Sequence, residues 1–210
     1  MNKTVLALTV AAGMLSGVSS SVVLAEEKPG YVEARYHLAD SVDTLTVEGE
    51  YAINEQLYAI VELASFDFDG GGNAEAYALG VGHTYALSAE RSVSAEARYL
   101  YLTADGADSE SGFAVTGIYA APISAADGLD FEGELSLIHI DSETDWEVEA
   151  GITKAFSAQL SGSATLIGNE DDTLLELGVA YALNDQVELA AEWTLADEEN
   201  ELAIGLNARF

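Results

Sequence analysis

Apolar and polar residues alternate with a period of two along most of the chain. In the segment 173–183, Leu175 and Leu177 fall on one side, whereas Glu176 and Gly178 fall on the other. The same alternation recurs in the segments 44–53, 146–156 and 187–196. Successive side chains of a strand point to opposite faces, whereas a helical face repeats about every 3.6 residues. The pattern therefore predicts strands with one apolar and one polar face.

Twelve such segments follow one another along the sequence. They lie at approximately 31–39, 44–53, 57–66, 75–87, 92–103, 113–122, 129–140, 146–156, 158–167, 173–183, 187–196 and 201–210. Most have the length of about 9–11 residues that a tilted membrane strand needs. Short turns such as 54–56 and 184–186 alternate with acidic, often glycine-rich loops such as 67–75. We therefore predict hairpins that run up and down, with short turns at one end and acidic loops at the other.

The first 25 residues have a different character. A short positive start is followed by an apolar run, and Val23 and Ala25 stand at the −3 and −1 positions of a cleavage site. This arrangement is typical of a secretory signal peptide, with a structural apolar helix as the alternative. We expect residues 1–25 to be cleaved and residues 26–210 to form one domain. The longest later uncharged stretch, 111–126, is too short for a membrane helix, which leaves a soluble protein or a membrane barrel.

Aromatic residues recur at corresponding positions of the predicted strands. Tyrosines precede the short turns on the apolar face at Tyr51, Tyr85, Tyr119 and Tyr181, and tryptophans lie near the opposite strand ends at Trp146 and Trp193. An aromatic ring at a fixed height suits the boundary between lipid and water. The pattern predicts two aromatic girdles, with the general preference of tyrosine for strands as the alternative.

The last segment, "LAIGLNARF", alternates up to a terminal aromatic, Phe210. Together with the signal-like start, the alternating strands and the girdle tyrosines, it resembles the small outer-membrane β-barrels of Gram-negative bacteria. The resemblance implies an outer-membrane location and contact with outer-membrane lipid and lipopolysaccharide. It also implies that the barrel-assembly machinery reads the last strand through Phe210. We therefore predict an all-β fold, a closed antiparallel up-and-down transmembrane barrel.

The number of strands follows from the segments. Twelve is an even number, and pairing 31–39 with 201–210 would close the barrel and place both ends on one side. Ten or eight strands remain open if two acidic hairpins extend beyond the membrane.

The acidic residues outnumber the basic ones by 37 to 7. Fourteen of them fall on the polar face of the strands, where only Arg35, Arg98 and Arg209 could balance them. Such an excess cannot lie in a dry core, so either water fills the lumen or many carboxyl groups are protonated. Water is the simpler answer, and it predicts a pore lined by Glu48, Glu50, Glu62, Glu96, Glu132, Glu134, Glu147, Glu149, Glu176, Glu188 and Glu192, with Arg35 and Arg98 opposing them.

An acidic lumen attracts cations and repels anions. The predicted function is porin-like passive diffusion of small cationic or neutral solutes. A non-conducting structural or surface-interaction barrel with acidic extracellular loops is the alternative. A saline habitat would equally account for the acidity of the loops. No basic patch is present for binding nucleic acid.

Catalytic and metal-binding signals are weak. Ser136 and His139 lie on opposite faces of one predicted strand, so no serine–histidine pair forms there, and we expect no enzyme and no cofactor. The loops at 67–73 and 105–110 lack the complete calcium-binding pattern, although loose binding of divalent cations at the acidic loops stays open. Gly80 and Gly82 are interpreted as residues that ease strand curvature.

Overall fold

A computed structural model describes residues 30–39, 41–124, 128–170, 172–196 and 200–210. Within these ranges the chain forms twelve strands: β1 (Gly30–Ala39), β2 (Val42–Ala52), β3 (Leu57–Phe68), β4 (Asn73–Ser88), β5 (Arg91–Ala104), β6 (Glu110–Ser124), β7 (Leu129–Ile140), β8 (Glu143–Ala155), β9 (Leu160–Asn169), β10 (Thr173–Ala182), β11 (Val187–Leu195) and β12 (Glu201–Arg209). The predicted signal peptide at 1–25 lies outside the described residues. Among the residues described, no helix has the length and apolar character needed to cross a membrane.

Each strand pairs with its neighbours in the chain, and β1 closes the sheet by pairing with β12. The closing register runs from Tyr31 opposite Arg209 to Ala39 opposite Glu201, and all pairings are antiparallel. The predicted closed up-and-down barrel of twelve strands is therefore confirmed. The alternatives of ten and eight strands are wrong, because the acidic hairpins are part of the same continuous sheet.

Several strands extend further toward the acidic loops than their alternation predicted. β6 begins at Glu110 and β8 begins at Glu143, three residues earlier than expected in each case. The backbone ladder continues there, with Ile140 opposite both Gly112 and Glu143. Ladder hydrogen bonds join backbone groups, so polar residues can extend a hairpin where no apolar face is required.

The alternation separates the two faces of the barrel wall. On the outer face, Leu79 is 63% exposed and Val179 is 48% exposed, whereas the inward-facing Glu62 is 2% exposed. A closed sheet with a continuous apolar exterior leaves no backbone edge unpaired and is stable in lipid rather than in water. The fold is therefore that of a transmembrane β-barrel.

The interior is not polar throughout, contrary to the prediction of a lumen that is wet along its length. Inward-facing apolar side chains pack together on β3 to β7 near the acidic loops, and we call this set the apolar cluster. Its members are Ala64, Phe66, Ala74, Ala76, Ala78, Leu100, Leu102, Ala114, Ile138 and Ile140. These strands carry apolar residues on both faces at this end, so their inner faces exclude water locally.

Candidate functional site in the barrel lumen

Arg98 on β5 is the centre of one buried ion network. Its guanidinium donates to Glu96 at 2.8 Å, to Glu62 on β3 at 3.0 Å and to Glu48 on β2 at 3.3 Å. The Arg98 side chain is 2% exposed, and the Glu62 side chain is 3% exposed. Tyr58 donates its hydroxyl to Glu96 at 2.8 Å. The network thus joins three strands through one cation, whose charge-assisted hydrogen bonds offset part of the cost of burying the carboxylates.

Two glycines on β4 leave room for the side chains of Arg98 and Tyr58 in this network. A Cβ atom at Gly80 would lie 2.8 Å from the Cγ atom of Arg98, and one at Gly82 would lie 2.1 Å from the ring of Tyr58. Arg98 therefore lies over Gly80 to reach β3, and Tyr58 lies over Gly82 to reach β5. The interpretation of these glycines as curvature residues is incomplete, because their missing side chains make room for the ion network.

Arg35 on β1 is the centre of a second network built in the same way. Its guanidinium binds Glu33 on the same strand and Glu192 on β11, the latter at 2.6 Å. Gly205 is the partner of Arg35 on the intervening strand β12, and a Cβ atom there would lie 3.1 Å from the Cγ atom of Arg35. Asn207 donates to Glu33 at 3.4 Å. A glycine on the strand between again allows an arginine to reach a carboxylate two strands away.

The wall formed by β6 to β10 lacks such a cation. No arginine or lysine of the described residues lies on its inward face. Glu134 accepts a hydrogen bond from Ser136 at 3.0 Å, and Ser136 pairs with Thr116 at 2.7 Å. Other inward carboxylates of this wall include those of Asp130, Glu132, Glu147, Glu149 and Glu176. The lumen is therefore asymmetric: Arg35 and Arg98 form ion pairs centred on β1 and β5, whereas the described inward face of β6 to β10 carries neither arginine nor lysine.

A cavity of about 240 Å³ lies inside the barrel toward the short turns. Six carboxylates line it, from Glu33, Asp130, Glu149, Glu176, Glu188 and Glu192, together with the guanidinium of Arg209. Its walls include small residues of β9 to β11, among them Gly162, Ser163, Ala180 and Ala190. Because the side chains here are small, they leave an open space inside the barrel. On β3 to β7, near the acidic loops, the larger side chains of the apolar cluster fill the interior instead.

The structure places all the predicted lumen residues on the inward face. Glu149, Glu176, Glu188 and Glu192 line the cavity, while Glu48, Glu62 and Glu96 bind Arg98. Four further glutamates lie at the alternate strand positions that point into the barrel: Glu50, Glu132, Glu134 and Glu147. Arg35 and Arg98 bind adjacent carboxylates rather than opposing them across a gap. The prediction overlooked Tyr31 and Tyr58, which donate to Glu48 and Glu96 and whose parity with the polar face was visible in the sequence.

The predicted girdle residues lie on the outer surface. Their exposed fractions run from 37% for Tyr119 to 63% for Tyr85. Tyr51, Tyr85, Tyr119 and Tyr181 lie toward the short turns, and Trp146 lies beside the acidic turn before β8. Trp193 pairs with Leu202 near the other end of β11. Phe210 donates its backbone N–H to Gly30 at 3.1 Å, and its role as an assembly signal stays a prediction.

Ser136 and His139 of β7 do not face each other. His37 faces the lumen, where its Nδ1 atom lies 2.5 Å from Glu201. His139 faces outward and pairs with Thr144 at 2.8 Å, whereas Ser136 faces inward. In the part of the chain that the structure describes, no three acidic or histidine side chains are arranged to hold a metal ion.

No protein-family model matches the sequence, and no curated protein matches it. Solved structures do match the fold. The KdgM porin, solved with disordered oligogalacturonate, superposes with a TM-score of 0.70 at 9% identity, covering 86% of this chain and 99% of that one. The NanC porin gives 0.62 at 11% identity, covering 86% and 100%. The translocator domain of the autotransporter NalP from Neisseria meningitidis gives 0.66 at 14% identity, covering 99% and 98%.

At these identities the likeness concerns the fold. The closed twelve-stranded wall, its apolar exterior and its charged interior define the class, which is a transmembrane β-barrel with the fold that outer-membrane porins share. KdgM and NanC are porins.

Proposed function

We propose that the barrel allows passive diffusion of small cationic or neutral solutes. The observation that carries this proposal is the cavity toward the short turns, which is lined by six carboxylates. Only two guanidinium groups of the described residues meet them, that of Arg209 in the cavity wall and that of Arg35, which binds Glu33 and Glu192. A cleft lined by one sign of charge raises the local concentration of the opposite ion. Cations are therefore enriched at this end of the lumen, and anions are repelled from it.

The charge of this lumen argues against an anionic solute. The KdgM porin was solved with oligogalacturonate, which is a polyanion. A polyanion in the present lumen would meet Glu149, Glu176 and Glu188 in the cavity. Like-charge contacts of this kind oppose binding. The shared fold is thus combined with an interior suited to solutes of opposite charge.

The route through the barrel follows the wall of β8 to β12. The apolar cluster fills the inner face of β3 to β7 near the acidic loops. On the other side, inward positions are occupied by small residues such as Ser163, Ala180 and Ala190, which line the cavity. A narrow path along the small residues would admit ions and small solutes but exclude large ones.

A second candidate function is a non-conducting structural or surface-interaction barrel. The apolar cluster and the buried Arg98 network favour it, because together they fill much of the lumen on one side. In this case Phe66 and Leu102 would belong to a packed core rather than to the border of a path. The two candidates differ in whether ions pass.

Conductance in planar bilayers under a salt gradient separates them. We expect small single-channel steps and a reversal potential that shows preference for K⁺ over Cl⁻. The double variant Glu176→Gln with Glu188→Gln should reduce this preference because it removes two carboxylates from the cavity. The control is Glu55→Gln with Glu90→Gln, two exposed turn residues that should leave it unchanged.

Two outcomes would reject the proposal of cation passage. Anion preference in the folded wild-type barrel would contradict the charge argument. Absence of conductance would favour the non-conducting barrel, and conductance that appears only in Phe66→Ala would identify the apolar cluster as the closure.

A further inference from the structure

The strongest unexplained feature of the lumen is a pair of carboxylates on β8. Glu147 is 3% exposed, and within the described part of the chain its Oε1 atom has no hydrogen-bond partner. Glu149, the next inward residue of the strand, also has a buried Oε1 atom without a partner there. A buried carboxylate oxygen that accepts no hydrogen bond is costly, so such a group in a native protein points to a missing partner.

The surroundings of this pair contain carboxylates instead of cations. Glu149 stands opposite Glu134 on β7, and Glu147 stands between Ser136 on β7 and Asn169 on β9. The charged groups with the strongest influence on the buried Glu149 are the carboxylates of Glu134, Glu147, Glu176 and Glu132. The arginine networks lie on the other wall, centred on β1 and β5. The described inward face of β6 to β10 thus offers no arginine or lysine that could pair with Glu147 and Glu149.

The pair can be reached from the cavity. Glu149 lines the cavity directly. Glu147 lies two residues further along the same face, which places its Cα atom about 7 Å deeper toward the acidic loops. A solute in the cavity would therefore meet Glu149 first and Glu147 next.

We propose that Glu147 and Glu149 bind an organic cation that carries N–H donors, namely an ammonium or guanidinium group of a small solute. The described residues offer no group of three donors arranged for a metal ion. An ammonium or guanidinium needs only one or two carboxylates, because its several N–H groups form charge-assisted hydrogen bonds. Such a ligand would give each unpartnered Oε1 atom a donor. The inference deepens the proposed function and rests on it, since the solute enters through the lumen.

The test is titration calorimetry of the full-length mature barrel in detergent micelles with methylguanidinium chloride. Tetramethylammonium, a cation without N–H donors, is the second probe. We expect methylguanidinium to bind more tightly than tetramethylammonium, and Glu147→Gln or Glu149→Gln to weaken its binding by about tenfold each. The control Glu50→Gln also removes one inward carboxylate but lies on β2, and it should change binding by less than about twofold.

Three results would overturn the site. These are no methylguanidinium binding by the wild type, equal binding of both probes, or equal weakening by Glu50→Gln and the two β8 variants. Glutamine keeps the shape of glutamate while removing its charge. Folding of each variant can be checked by comparing the gel mobility of heated and unheated samples. Reversal potentials of the same proteins keep the two proposals apart. Cation preference without specific binding removes only the site, whereas specific binding without conductance removes only the passage.

Discussion

At the scale of single residues, the lumen depends on glycines placed beside arginines. Arg98 reaches Glu62 only because Gly80 lacks a side chain, and Arg35 reaches Glu192 across Gly205 in the same manner. A buried guanidinium needs acceptors, and here the carboxylates of Glu62 and Glu192 lie one strand beyond the neighbouring strand. The glycine and the arginine therefore act as one unit.

Replacing Gly80 by valine should break this unit. The added Cβ atom would lie 2.8 Å from both the Cγ atom of Arg98 and the carbonyl oxygen of Ala97, so the arginine must move away from Glu62. We expect the free energy of unfolding to fall by about 1–3 kcal/mol, measured by urea unfolding of the barrel in lipid vesicles. Gly117→Val is the matched control, because a Cβ atom there meets nothing within 4 Å. Equal effects of the two variants would contradict the account.

The sequence predicted which side of the wall each charged residue occupies, but not the partner that it binds. Parity alone placed Arg35, Arg98 and the glutamates on the polar face. The pairing of Arg98 with Glu62, two strands away, depends on strand register and on the gap at Gly80. Neither is encoded in the alternation of one strand, so the arginines were expected to oppose the glutamates across a pore.

At the scale of the strand, each strand has one face toward lipid and one face toward the lumen. On β10, Leu177 is 42% exposed on the outer face, while Glu176 and Ala180 line the cavity. Successive side chains of a strand point to opposite faces, so residues alternate between lipid and lumen along its length. The number of strands, and the side of the wall on which each residue lies, could therefore be predicted from the sequence, because every strand repeats the same alternation.

An arginine scan of β10 should reveal the two faces. Leu177→Arg puts a charge on the lipid-facing side and should lower the free energy of unfolding by about 2–4 kcal/mol near the bilayer centre. Ala180→Arg puts the same charge beside the cavity carboxylates and should be nearly neutral or stabilising. Urea unfolding in lipid vesicles measures both. A larger loss for Ala180→Arg than for Leu177→Arg would contradict the assignment of the faces.

The ends of the strands and the apolar cluster were less accessible to sequence reasoning. Alternation weakens beyond the membrane, where β6 and β8 continue as polar hairpins. On β3 to β7, apolar residues occupy both parities near the acidic loops, so the inner face could not be distinguished there by polarity. The sequence therefore predicted a uniform wet lumen where the structure has a packed section.

At the scale of the whole molecule, the barrel combines an apolar exterior with an unevenly charged interior. The closing pair β1 and β12 joins the ends of the described chain into one wall. Arg98 is surrounded by the carboxylates that it binds. In the cavity, Arg35 binds two of the six carboxylates and Arg209 is the other lining cation, so an excess of negative charge is left there. The central claim is that this excess faces water and prefers cations.

Thiol labelling of single-cysteine variants in lipid vesicles tests this claim most directly, and the chain contains no native cysteine that would interfere. Ala180→Cys places a thiol in the cavity, whereas Leu177→Cys places one in the lipid. We predict that Ala180→Cys reacts faster with a cationic methanethiosulfonate than with an anionic one, and that Leu177→Cys reacts with neither. Fast labelling of Leu177→Cys, or a preference of Ala180→Cys for the anionic reagent, would contradict the account.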